Sequence, residues 1–228
     1  DTGVDRWLNT TDHMAYLNGY GTGLFGPDDH MTRAQAAQMF YNLLLDQEVS
    51  AAVRFTDVPA DAWYARAVET LASLGMVEGV GGGKFAPERT ITRAEFSAMV
   101  ASALNLRRSD SAPFSDVDPS AWYAGAVNAM AAKGFLSGDG DGRFRPEDTI
   151  SYEEMVTVLS SVAAWATMEG RELAEESLSA VDWGVYHDFS EWAQIPARNL
   201  DRLGALAGSQ QPREPGTRET AAGLLHAL

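Results

Sequence analysis

Three arginines occupy one place in a recurring motif, and one chemistry would suit them all, the recognition of an anion. Arg33, Arg93 and Arg218 each follow a threonine, in Thr32-Arg33-Ala34-Gln35, Thr92-Arg93-Ala94-Glu95 and Thr217-Arg218. Threonine with Gln or Glu three residues on is a capping box, so Thr92 and Glu95 are explained by the helix that begins there. The arginine is not. At the first helical position a cation faces the positive end of the helix dipole, at a cost of roughly a few tenths of a kcal/mol. Its recurrence points to a compensating negative charge. Two sources are open: an ion pair between repeats with Asp57 or Asp116, or a ligand carboxylate gripped by paired hydrogen bonds. The third copy reads Ser151-Tyr152-Glu153-Glu154 and lacks the arginine.

Trp63, Trp122 and Trp192 recur in the same way, each 12 residues before a glycine, Gly75, Gly134 or Gly204. An indole could stack on a sugar face. As the first apolar residue of a helix it could equally serve as a lid on the core. Glycine-rich loops follow, with Gly21, Gly81 and Gly140 at their centres. They could present bare amides to a ligand, or simply provide a tight connection through positive φ. Asp57 and Asp116 suit capping of the first helix or orienting of the arginine, with direct ligand contact a further reading.

These residues must be positioned by a repeated unit. Phe25, Phe85 and Phe144 lie 60 and 59 residues apart, each followed by a proline two positions later, Pro27, Pro87 and Pro146. A period of this length containing helix signals marks stacked units that bury their apolar faces against one another. In the clearest copy Trp63, Ala67, Val68, Leu71 and Leu74 predict a first helix stopped by Gly75, and Phe96, Met99, Val100 and Leu104 the stripe of a second. Thr32 with Gln35 and Ser151 with Glu154 repeat the capping box. The copies are placed at 1–50, with a short first helix, 51–109, 110–180, with the divergent motif, and a degenerate fourth at 181–228. In the fourth, Pro196 interrupts the candidate helix, which could begin there. The third-copy helix is predicted to run from Ser151 past Trp165 toward Leu178, and the aromatic stretch to Trp192 to pack across the join.

Composition narrows the partners. With 17 basic and 32 acidic residues the net charge is −15, which repels nucleic acid and anionic membranes. Absence of cysteine removes disulfides, thiolate metal sites and Cys nucleophiles. No apolar run reaches the ~20 residues of a membrane span. Residues 1–20 have no charged start before an apolar core, which leaves an exported chain after trimming and a cytosolic one both open. Gly79 to Lys84 fails as a phosphate loop because Phe85 stands where Ser or Thr is needed. Asp139-Gly140-Asp141 fails as a calcium loop, with Arg143 fifth and Ile150 twelfth. His13, His30, His187 and His226 have no metal-ligand spacing. Adjacent acids such as Glu153 and Glu154 point apart on a helix and cannot flank one bond. No metal site, cofactor or catalytic group is therefore expected.

Taken together, Phe-x-Asp-Val at 55–58 and 114–117, Trp63 and Trp122, the glycine loops, Phe-x-Pro and Ile91-Thr92-Arg93-Ala94-Glu95 resemble the S-layer homology module of bacterial cell-surface proteins. The resemblance covers nearly the whole chain. It implies an all-α fold of tandem helix-loop-helix repeats, three of them closing as a pseudo-threefold trefoil around a central helical bundle. It also implies a non-catalytic anchor at the cell surface, with grooves between repeats that bind secondary cell-wall polysaccharide, often carrying a pyruvate ketal. On that reading Arg33, Arg93 and Arg218 would meet the ketal carboxylate, and Trp63, Trp122 and Trp192 the sugars. Asp57, Asp116, Gly21, Gly81 and Gly140 would complete the grooves. The alternative is a self-assembly or docking module that contacts lattice or partner surface proteins and binds no glycan.

Overall fold

A computed structural model of the chain describes residues 31–42, 44, 46–166 and 190–202. These residues form six helices: α1 (Arg33–Asn42), α2 (Ala65–Ser73), α3 (Arg93–Ala103), α4 (Ala124–Ala132), α5 (Tyr152–Ala166) and α6 (Glu191–Arg202). Among the described residues extended pairing is limited to isolated bridges, so the all-α expectation holds. Met31–Ile150 belong to one compact unit, and the described residues from Ser151 onward to a second.

Local chemistry accounts for the helix ends. The capping box at α3 is complete: Thr92 Oγ1 accepts from the Glu95 amide, and Glu95 Oε2 accepts from the Thr92 amide at 3.0 Å. Thr32 with Gln35 and Ser151 with Glu154 make the same reciprocal bonds. At the other end of α2, Gly75 takes φ +70°, and the Met76 amide reaches back to the Leu71 carbonyl at 2.8 Å. Gly134 closes α4 identically, with Phe135 bonding to Met130. Thr92→Ala should lower stability by about 1 kcal/mol through loss of the cap. Thermal melts check this, and an unchanged midpoint would contradict the assigned role of Thr92.

The helices do not pair as the repeats are written. α2 packs on α1, α4 on α3 and α6 on α5, whereas α2 and α3 of the same copy are not a packed pair. Each hairpin therefore joins the second helix of one copy to the first helix of the next. In the Met31–Ile150 unit the joints are backbone bonds. The first amides of α1, on Arg33 and Ala34, donate to the Arg89 and Pro87 carbonyls of copy two at 2.8 and 2.9 Å. Those of α3, on Arg93 and Ala94, donate to Asp148 and Pro146 of copy three at 2.9 and 3.0 Å. The orphan donors of each helix start are thus satisfied by the next copy. Bridges between Thr32 and Thr90, and between Thr92 and Thr149, run alongside.

Core positions match the expected stripes apart from Leu74, 44% exposed at the end of α2, and one systematic exception. Phe40, Phe85, Phe96 and Phe144 are fully buried, as are Val68, Leu71, Val127 and Met130. Phe55 packs on Phe85 and Phe114 on Phe144, with ring centroids 5.4 and 5.3 Å apart. The tryptophans are the exception. The α2 and α4 helices start two residues after Trp63 and Trp122, and Tyr64 and Tyr123 take the buried places. The core-lid reading of Trp63, Trp122 and Trp192 is therefore corrected: they are 47%, 43% and 55% exposed.

Copy four departs from expectation as well. Its helix does not begin at Pro196 but at Glu191, with Pro196 inside it. Glu153 of α5 accepts the Ser190 amide at 2.8 Å just before that start. Glu153 and Glu154 thus each hold a backbone amide, Glu154 that of Ser151 in the expected capping box. The described part of α5 ends at Ala166, and the predicted continuation to Leu178 and the aromatic stretch before Ser190 lie outside the described residues.

Candidate functional site

Arg33 finds its anion inside the protein. Its guanidinium pairs with Glu95, the N3 acid of the capping box in the next copy. Nε donates to the Phe85 carbonyl at 2.8 Å and a terminal nitrogen to the Glu78 carbonyl at 2.6 Å. The guanidinium carbon lies 4.4 Å from the Phe85 ring centroid, so cation–π attraction adds to the hydrogen bonds. Burial pulls the Arg33 guanidinium below its ordinary value, with Glu95 pulling the other way. Of the two readings left open, the inter-repeat pair describes Arg33, but its partner is Glu95 rather than Asp57 or Asp116. Arg89 joins Glu95 on the same carboxylate oxygen. Arg93 repeats part of the arrangement one copy on, with Nε on the Phe144 carbonyl at 2.8 Å and its guanidinium 4.8 Å from that ring.

Asp57 and Asp116 do not cap the first helix of their copies. The α2 and α4 N-termini have no side-chain cap. Asp57 instead accepts the Phe85 and Ala86 amides, both at 2.8 Å, and Asp116 accepts those of Phe144 and Arg145 at 2.7 and 2.8 Å. Each aspartate clamps a Phe-x-Pro turn whose middle residue is left-handed, φ 57° at Ala86 and 56° at Arg145. A non-glycine residue held there costs ~1–3 kcal/mol, and the two charge-assisted bonds offset it. The turn aims the Phe85 carbonyl at Arg33 and the Phe144 carbonyl at Arg93. Both aspartates orient the arginines indirectly, through this peptide.

Burial alone would raise both aspartates, but the Phe and following amides outweigh it and hold each carboxyl below the usual range. A depressed folded value contributes stability that is complete above the unfolded value of about 3.9 and is lost as pH falls through the folded one. The melting temperature should therefore fall below about pH 4, and Asp57→Asn with Asp116→Asn should be less stable at pH 7 but flatter between pH 5 and 3. Parallel pH profiles for wild type and variant would contradict the clamp.

A groove opens between copies two and three. It consists of two adjoining cavities of about 270 and about 180 Å³ that share Glu78, Glu95 and Trp122. Trp122 forms one wall, its ring edge-on to Tyr123 with centroids 5.5 Å apart. The end of α2 and the start of the glycine loop form the other, through Leu74 and Val80. Gly79 is required there, since a Cβ would lie 2.6 Å from the Lys84 carbonyl and 2.7 Å from the Phe55 ring. Gly81 and Gly140 take φ of 98° and 91° as expected of the loops, but neither lines these cavities. Arg33 does line the larger one.

Two groove cations, Arg89 and Arg108, were not singled out in the sequence. Arg108 lies in the linker after α3 and donates to the Trp122 carbonyl. Its stem runs over Gly125 of α4, where a Cβ would stand 2.5 Å from Nε and 2.9 Å from the Arg108 Cβ. A glycine inside an alanine-rich helix was the available signal of that close approach. Trp63 and Trp192 are exposed but line neither cavity. Arg218 and Gly21 lie outside the described residues. No group of acids or histidines suited to a metal occurs among the described residues.

The family model of the S-layer homology domain matches residues 15–37, 54–97 and 113–156. The chain carries S-layer homology domains. The three matched segments coincide with the three Phe-x-Pro copies and include both interlocks of the Met31–Ile150 unit. The chain is 32% identical to exoglucanase XynX of Acetivibrio thermocellus over 99% of its own length and 21% of the relative's. It is 29% identical to a cellulosome-anchoring protein of the same species, over 86% of this chain and 45% of that one. Against the surface-layer 125 kDa protein of Lysinibacillus sphaericus identity is 31%, over 63% of this chain and 13% of the relative. The chain thus spans less than half the length of each of these relatives. The S-layer homology domain is a non-catalytic anchoring module, and its copies place the chain at the bacterial cell surface.

Proposed function

We propose that this module anchors a surface protein by binding secondary cell-wall polysaccharide in the groove between copies two and three. The observation that carries the reading is Trp122, a large aromatic left 43% exposed on the wall shared by both cavities. An indole at a groove wall gives a sugar ring a broad apolar face, while the carbonyls and carboxylates around it take hydroxyls. The buried Arg33–Glu95 pair and the clamped turns keep that wall rigid. A pyruvate ketal on the polymer would add a carboxylate. The other S-layer homology copies would supply further grooves, with Trp63 and Trp192 in the same role.

Calorimetric titration with polysaccharide solubilised from Gram-positive sacculi tests the proposal. Saturable heat that Trp122→Ala removes is the expected result. No heat from a folded chain, with mass that rises with concentration, would replace glycan binding with self-assembly through the exposed Leu74 and Val80.

A further inference from the structure

We propose that α6 is a clasp that opens independently of the repeats, and that Glu153 of α5 is the residue that latches it. The first helices of copies two and three are tied down on both sides by their own copy. Ahead of α2 and α4, eight residues before Trp63 and Trp122, stand the Phe-x-Asp-Val segments whose aspartates clamp the Phe-x-Pro turns. After α2 and α4, those turns take the first amides of α1 and α3. Copy four has neither tie. Gly184-Val185-Tyr186-His187 stands where Phe-x-Asp-Val would be, and no phenylalanine follows Trp192. Even so, α6 packs on α5 as α2 does on α1 and α4 on α3.

The tie that α6 does have comes from the divergent motif of copy three. The second residue of α1 and of α3 is an alanine, and both Ala34 and Ala94 are buried at the joint with the next copy. Glu153 holds that place in α5. Its Oε1 accepts the Ser190 amide at 2.8 Å, and the Ser190 carbonyl accepts the Ala193 amide at 2.8 Å to open the first turn of α6. A carboxylate on a backbone amide makes a charge-assisted bond, stronger than a neutral one. Inside α6, Pro196 has no amide to give the Trp192 carbonyl, a gap absent from α2 and α4. A helix of 12 residues is marginal away from its packing partner. Trp192 and Ile195 add little hold, being 55% and 40% exposed, and the fully buried apolar positions are the small Ala193 and Ala197. Arg198 and Asn199 are buried as well, bonded to one another at 2.7 Å. With little buried apolar area and one backbone bond missing, α6 is the described helix that opens at least cost.

Native-state hydrogen exchange of the intact chain reads the opening of each helix separately. The α6 amides should be about a hundredfold less protected than those of α2 and α4, the factor that one interior proline supplies. Glu153→Ala should speed exchange in α6 by about a further tenfold or more and leave α2 and α4 unchanged. Glu153→Gln retains an oxygen acceptor without the charge, and should fall between wild type and the alanine variant. Equal protection of α6, α2 and α4 would overturn the clasp. Glu153→Ala that leaves α6 unchanged, or that speeds all three helices alike, would overturn the latch.

Discussion

Glu95→Ala should destabilise the Met31–Ile150 unit by about 3 to 5 kcal/mol, the cost of leaving a buried charge without its partner. Glu95 is 7% exposed and serves three groups at once: the Arg33 guanidinium, the Arg89 guanidinium and the Thr92 amide. Removing it strands Arg33, which is 5% exposed, and opens the α3 capping box. A loss of that size should lower the melting midpoint by about 10 °C or more. Arg33→Ala should also be destabilising, and the double variant should lose clearly less than the sum, because each single change creates the unpaired charge that the other removes. Additive losses would show that the two residues act separately and that the interlock lies elsewhere.

Trp122→Ala should give the largest loss of binding with the smallest loss of fold. The ring is 43% exposed and its main-chain carbonyl, which holds Arg108, survives the substitution. Aromatic anchors at the centre of an interface commonly contribute ~2 kcal/mol or more, about a 30-fold change in affinity. Stability should move by no more than about 0.5 kcal/mol, as for exposed positions generally. If Trp122→Ala binds wall polysaccharide as wild type does, the stacking wall has been misassigned.

Features fixed by residues close in sequence were legible from the start. The capping boxes at Thr32, Thr92 and Ser151 depend on partners three residues away, and all three form. Gly75 and Gly134 end their helices because the left-handed conformation they adopt follows from residue type. Pairing of the helices was not legible. An amphipathic stripe is buried equally well against a helix of the same copy or of the next, and here the choice is tied to long-range polar bonds. Arg33 reaches Phe85 and Glu78 across 52 and 45 residues, a separation that periodicity does not encode.

The candidate site was legible by residue type, whereas the partner of each side chain depended on the fold. A recurring cation at a helix start did require a negative partner, but for Arg33 that partner was the capping glutamate of the following copy. Ala86 and Arg145 precede prolines, where local preference favours extended backbone; their left-handed turns depend on Asp57 and Asp116, each 29 residues upstream. The tryptophans fit the helical spacing, yet helix starts displaced by two residues put tyrosines in the core and indoles at the surface. Arg108 belongs to no repeated motif, so only its contacts with Gly125 and Trp122 reveal its place in the groove.

Polysaccharide anchoring is decided by co-sedimentation of the chain with Gram-positive wall sacculi, comparing intact sacculi with sacculi stripped of secondary polysaccharide by acid. The protein should pellet with intact sacculi and stay in solution with stripped ones. Equal pelleting with both, or with neither while the protein is folded, would contradict polysaccharide anchoring through the groove at Trp122.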